Sequence, residues 1–215
     1  MTPGKAKINV ISLGIGELTE SARQRLGDVE IVIGSQRQLD LVASICPTAE
    51  KRILPSPVSE LPILIDHLNR SEIAVLASGD SLFFGIGSLL LQNFGRERLR
   101  FHPNISSIQH CMHLIGLPWQ DAEIVSLHGR PLSSLRRYLA PNTLLGIFTD
   151  QTNHPVIIAG ELVNHCLDDA TVWIAEALGT EQQKLSQFSA NELCVSEKTF
   201  NPLNVVVVQT AAARP

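Results

Sequence analysis

Short apolar runs alternate with helix-like segments along almost the whole chain. "KINVISL" (7–13) passes through a glycine turn into "TESARQRLG", where Thr19 is placed to cap a helix and Gly27 to stop it. "EIVIG" precedes "SQRQLDLVAS", "EIAVLAS" leads into "LFFGIGSLLLQNFG", and "RLRFHP" leads into "ISSIQHCMHLIG". Continuous apolar strands followed by helices predict a mostly parallel sheet buried on both faces. "GLPW" (116–119) then breaks the pattern with a glycine stop and a proline. Beyond it come "EIVSL", "TLLGIFTD", a helix around "PVIIAGELVNHCL", "ATVWIAEALG", the polar "KLSQFSANEL" and a closing "NVVVVQT". The expected fold is α/β in two lobes, 1–116 with a parallel sheet and 117–215 with a mixed one.

Composition narrows the function classes. Of 215 residues, 44% are hydrophobic and 18% charged, as suits strands covered on both faces. No apolar run approaches the ~20 residues that span a bilayer. "MTPGKAKINV" lacks the apolar core of a signal peptide, so a cytoplasmic protein without a membrane is expected. The net charge of −4 comes without a run of basic residues, which disfavours nucleic acid as a partner. Cys46, Cys111, Cys166 and Cys194 are scattered and read as reduced thiols. His110 and His113 would share a helix face, but two ligands do not make a metal site, and no protein-bound metal is expected.

Four stretches carry candidate chemistry. "LGIGELT" has Gly14 and Gly16 but Thr19 where a dinucleotide fingerprint needs its third glycine, and "EIVIGS" offers no acid for a ribose. The pair is either a tight turn or a place where backbone approaches a ligand, here taken as a substrate contact. "LASGDSLFFGIG" places Gly79 and Asp80 at a strand's carboxyl end, where open α/β sheets bind ligands. Asp80 caps the following helix or accepts from ligand hydroxyls and amines. "HPNISSIQH" repeats the arrangement with Ser106 and Ser107 entering a helix. In "SLHGR", His128 and Arg130 follow a strand of the second lobe.

"ASGDSLFFGIG", "PNISSIQ", "GLPWQDAEIVSLHGR", "TLLGIFTD" and "NPLNVVVV" follow one another in an order that resembles the tetrapyrrole methylases. "SLHGR" after "GLPWQDA", together with "FNPLNVVVV", resembles the members that methylate C5 of a precorrin or cobalt-precorrin in cobalamin biosynthesis. The resemblance implies a two-lobed α/β enzyme using S-adenosylmethionine, with the active site between the lobes. It implies that Gly79, Asp80, Phe83, Ser106 and Ser107 hold the donor, with Phe148 and Leu203 on segments closing over the adenosine. A homodimer and a tetrapyrrole substrate are implied too, its carboxylate arms suited to Arg130, with His128 beside it a weaker catalytic candidate for moving a proton, as is a separate protein for the decarboxylating methyl transfer. The other readings are a transfer to another ring carbon, a non-tetrapyrrole target, or a module that binds donor or tetrapyrrole without catalysis.

The chain departs from the family in three places. Ser81 stands where proline is usual, which removes rigidity from the turn. Asn104 stands where glycine is usual and is expected to keep the turn by tolerating left-handed backbone. The first loop is shortened to "GIGELT".

Overall fold

The computed structural model describes residues 7–68 and 72–212; the sequence reading of the first six residues lies outside them. The chain divides into two compact units, 1–106 and 107–215.

The first unit runs β1 (Lys7–Ser12), α1 (Glu20–Asp28), β2 (Ile31–Gly34), α2 (Gln36–Val42), β3 (Glu50–Ile53), α3 (Leu61–His67), β4 (Glu72–Ala77), α4 (Gly87–Phe94), β5 (Leu99–His102). Its strands form one sheet in the order β3-β2-β4-β1-β5, and every pairing is parallel. Ile8, Val10, Ile33, Ile73 and Val75 enter a core with Leu61, Ile65 and Leu90, while Ile11, Val32 and Leu76 enter another with Leu26 and Leu39. Alternate residues of one strand thus serve opposite layers, which is why the strands read as continuous apolar runs. Thr19 caps α1 as expected, its Oγ1 accepting from the Ala22 N–H. Gly27 does not stop that helix, which runs one residue further and ends as Val29 turns extended.

The second unit runs α5 (Ser107–Ile115), β6 (Glu123–Ser126), β7 (Leu144–Phe148), α6 (Pro155–Asn164), β8 (Thr171–Glu176), β9 (Lys184–Ser189), α7 (Ala190–Cys194), β10 (Asn204–Gln209). Its sheet, in the order β6-β7-β10-β8-β9, is parallel between β6 and β7 and antiparallel elsewhere. The units divide before α5, earlier than the expected break at residue 117, because Ile108, Cys111 and Met112 pack with Ala175, Val205 and Val207. The other face of that sheet packs Leu145, Ile147 and Val206 with Ile158, Leu162 and Leu193. Among the described residues no helix is long and apolar enough to cross a membrane.

Candidate functional site

In the first unit, register sets three strand ends side by side, because β1 lies between β4 and β5 with Ser12 opposite Ala77 and Ile11 opposite His102. The turns after these strands, 13–19, 78–86 and 103–106, therefore leave one edge of the sheet. Gly79 sits in the second of them at φ +60°, and a Cβ built on it would meet nothing within 4 Å. The glycine is required by the backbone, and the space before it is open.

Asp80 is half-buried and does not cap a helix: α4 starts only at Gly87. Its Oδ1 instead accepts from the Leu82 N–H at 2.7 Å, closing a local turn. Its Oδ2 makes no hydrogen bond among the described residues. The run Leu82–Phe83–Phe84 stays exposed, with the two rings edge to face at 5.0 Å. Gly85 and Gly87 are needed for packing, since a Cβ on either would lie 2.6 Å from the Ser81 carbonyl oxygen.

Ser81 is not the weak point that loss of a proline suggests. It is 1% exposed; its N–H donates to Ser12 Oγ at 2.9 Å, and Ser12 Oγ donates to Ser81 Oγ at 3.1 Å. Asn104 keeps its turn by hydrogen bonds rather than by left-handed backbone, since it is not among the residues of positive φ. Its Nδ2 donates to the carbonyls of Leu13 (2.8 Å) and Glu17 (3.3 Å), and its Oδ1 accepts from the Ile105 N–H. Gly14, at φ +56°, lies against this side chain: a Cβ there would stand 2.5 Å from Asn104 Cγ. Asn104 thus accounts for Gly14, whereas Gly16, at φ +92°, has nothing within 4 Å of a built Cβ. Ser106 is buried just before α5, and Ser107, half-buried, is its first residue. At the same edge burial pushes the His102 imidazole pKa down, and the charges of Arg25 and Arg100 lower it further.

In the second unit, Ser126 pairs with Phe148, Phe148 with Val205, and Asn204 with Glu176. One edge therefore gathers the loops carrying His128, Arg130, Phe148 and Leu203. His128 and Arg130 are exposed, Phe148 is half-buried, and Leu203 is 54% exposed. Arg130 Nη1 donates to the Ser126 carbonyl at 3.1 Å.

Two supports of these loops were not legible in the motifs. Asp150 Oδ2 accepts from the Gly129 N–H (2.8 Å), and its Oδ1 accepts from the N–H groups of Thr152 (2.9 Å) and Asn153 (2.7 Å). The Asn153 and Gly129 amides hold its pKa below the usual carboxylate range against the opposing effect of burial; Thr152 and the nearby His128 add to the lowering. Buried Asn153 donates through Nδ2 to the carbonyls of Leu127 and Arg130, each at 3.0 Å. Glu176, 6% exposed, accepts from the Asn201 N–H at 2.7 Å, while the Leu203 carbonyl accepts from Ala177. A buried acid at the end of β8 gives no sequence signal beyond its position at a strand end.

Comparison with known proteins agrees with this architecture. Residues 7–194 match the model of the Tetrapyrrole (Corrin/Porphyrin) Methylases. A Sinorhizobium protein named precorrin-6Y C(5,15)-methyltransferase (decarboxylating) is 30% identical over 212 residues, 99% of this chain but 51% of the relative. The chain thus spans about half the length of that relative. A Salmonella typhimurium protein named cobalt-precorrin-7 C(5)-methyltransferase is 30% identical over 168 residues, covering 78% of this chain and 82% of the relative. Among solved structures, a precorrin-6Y methylase of Archaeoglobus fulgidus superposes with a TM-score of 0.73 at 21% identity, covering 96% of this chain and 98% of that one. Uroporphyrin-III C-methyltransferase of Thermus thermophilus, complexed with S-adenyl homocysteine, gives 0.75 at 19% identity, with 95% and 92% covered. With the family's model covering residues 7–194, the chain belongs to the tetrapyrrole methylases.

Proposed function

We propose that this chain transfers a methyl group from S-adenosylmethionine to C5 of a precorrin or cobalt-precorrin macrocycle. One observation carries the reading: the segments that resemble the family's donor turns, 79–83 and the turn ending at Ser106, follow β4 and β5, the strands on either side of β1, at one edge of a parallel sheet. The residues there fit such a donor. Gly79 leaves open space without a Cβ, Asp80 Oδ2 is available to hydroxyls or an amine, and exposed Phe83 offers an apolar face. The similarity to the Salmonella relative over most of both chains supports the choice of C5.

The donor supplies an electrophilic methyl on a sulfonium, and the macrocycle supplies the carbon that attacks it. The protein's part is alignment of the two, worth roughly 7–11 kcal/mol in favourable cases. A carboxylate against the sulfonium would stabilise the reactant more than the neutralising transition state. Asp80 is therefore assigned to the ribose or amino-acid end of the donor. Arg130 is assigned to a carboxylate arm of the macrocycle, where its fork of donors suits a bidentate contact. The departure at Ser81, which by itself would favour a non-catalytic binder, is compensated by Ser12. The working form is proposed to be a cytoplasmic homodimer.

Incubation with radiolabelled S-adenosylmethionine and the precorrin substrate tests the reading. Label in the macrocycle, with NMR placing the new methyl at C5, is expected. Label at another carbon would move the activity within the family, and tight binding without turnover would favour the binding module.

A further inference from the structure

We infer that the segment from Ser12 to Glu17 is an internal brace that sets the two donor turns against each other, with Ser12 and Asn104 as positioning residues. The inference rests on the donor reading proposed above. β1 lies between β4 and β5, so the chain leaving β1 runs between the two turns and can bond to both sides. On the β4 side, the Leu13 N–H donates to the Ala77 carbonyl at 2.9 Å, and Ser12 takes the Ser81 N–H while donating to its hydroxyl. On the β5 side, the Ile15 N–H donates to the Ile105 carbonyl at 3.0 Å, and Asn104 reaches back to the Leu13 and Glu17 carbonyls.

Neither contact is incidental. Ser12 and Ser81 are each 1% exposed, so water cannot replace a lost partner, and an unmet N–H there keeps its full desolvation cost. Gly14 admits Asn104 only because it lacks a Cβ. The short first loop therefore has work that needs no ligand contact of its own. It fixes where Gly79–Asp80 stands relative to Ser106, and a donor spanning the two turns binds without first ordering them.

The test compares wild type, Ser12→Ala, Asn104→Ala and Ser12→Ala/Ser81→Pro. Amide hydrogen exchange over 78–87 and 103–107 reads the brace; calorimetry with S-adenosylmethionine and the separation of KM from kcat read its consequence. Ser12→Ala is expected to speed exchange at Ser81 and weaken donor binding about tenfold, with kcat at saturating donor little changed. Asn104→Ala is expected to act in the same direction through Ile105 and keeps the test alive if Ser12→Ala does not fold. The double variant leaves no N–H at position 81 to be stranded, and it is expected to regain donor affinity over Ser12→Ala. Faster exchange with wild-type donor affinity in both single variants would make the brace purely structural and overturn the inference. Unchanged exchange would overturn the brace itself. If wild type takes up no donor, the function reading and the donor-positioning role fall together, and exchange alone decides whether the brace stands.

Discussion

In the first unit, the turns beyond β1, β4 and β5 are held by neutral groups: a serine pair, one asparagine, and glycines that clear space for them. In the second unit, the turn beyond β7 and the loop leading into β10 are held by carboxylates, with Asp150 gathering three backbone N–H groups and Glu176 taking the Asn201 amide. Both edges carry an aspartate close after a strand, Asp80 in one and Asp150 in the other, yet the two acids differ in what is left of them. Asp150 has both oxygens engaged by its own chain. Asp80 spends one oxygen on the Leu82 amide, and the other makes no hydrogen bond among the described residues. On the reading proposed above, an acid at a strand end is left for a ligand only where the fold has not already used it.

The neutral brace is most directly broken at Gly14. Gly14→Ala drives a methyl into Asn104 Cγ and the Ile105 carbonyl while holding alanine at φ +56°. Overpacking and left-handed strain together should cost about 2–4 kcal/mol, read as a lower urea midpoint. An unmoved midpoint would mean that the two loops separate easily and that the first unit is not braced.

The two aspartates offer the sharper contrast. Asp80→Ala should weaken S-adenosylmethionine binding by about 1.5–3 kcal/mol in calorimetry, the range for a hydrogen bond to a charged group, and lower stability far less. Asp150→Ala should do the reverse, lowering stability because three amides lose their acceptor, with donor affinity unchanged. Equal behaviour of the two variants in either assay would erase the distinction.

A smaller effect is expected at the loop that Asp150 supports. Asn153→Ala removes one donor from each of the Leu127 and Arg130 carbonyls, the former keeping the Arg130 N–H, and should cost about 1 kcal/mol of stability. It should also weaken tetrapyrrole binding as Arg130→Ala does, because the arginine would lose its platform. Normal tetrapyrrole affinity in Asn153→Ala, beside a defect in Arg130→Ala, would show that Arg130 acts without that platform.

What could be read in the sequence follows the same division. The interior strands announce themselves because burial on both faces demands unbroken apolar runs, as in "IVIG" and "VVVV". Two of the four edge strands do not. β3, "EKRI", is exposed throughout, and β9, "KLSQFS", is largely polar, since an edge faces water and is kept from pairing with other chains. The boundary at "GLPW" misleads because a glycine and a proline mark the end of a helix, not which sheet that helix covers. Ile108, Cys111 and Met112 decide that by packing on β8 and β10. At the candidate site, Gly79 and Asp80 stand out as residue types, whereas Ser12 and Asn153 act through partners 69 and 23 to 26 positions away. No local pattern records such pairings.

The smallest expected effect is the dependence on pH, and it should come from the second unit. The Asp150 carboxyl is lowered below its unfolded value, so its ionised form is favoured in the native state. Its contribution is therefore complete above the ordinary aspartate value of about 3.9 and is lost as pH falls through the lower folded value. Other carboxylates titrate in the same range, so the useful quantity is the difference in unfolding free energy between wild type and Asp150→Asn. Asparagine keeps an acceptor for the Asn153 and Thr152 amides but has no proton to gain. That difference should be constant from pH 7 to about 5 and should shrink in acid. The Ser12–Ser81 pair contains no group that titrates there, so Ser12→Ala should differ from wild type by the same amount at every pH. A wild-type to Ser12→Ala gap that closes in acid would mean that the brace leans on a carboxylate after all, and the contrast between the two edges would fail.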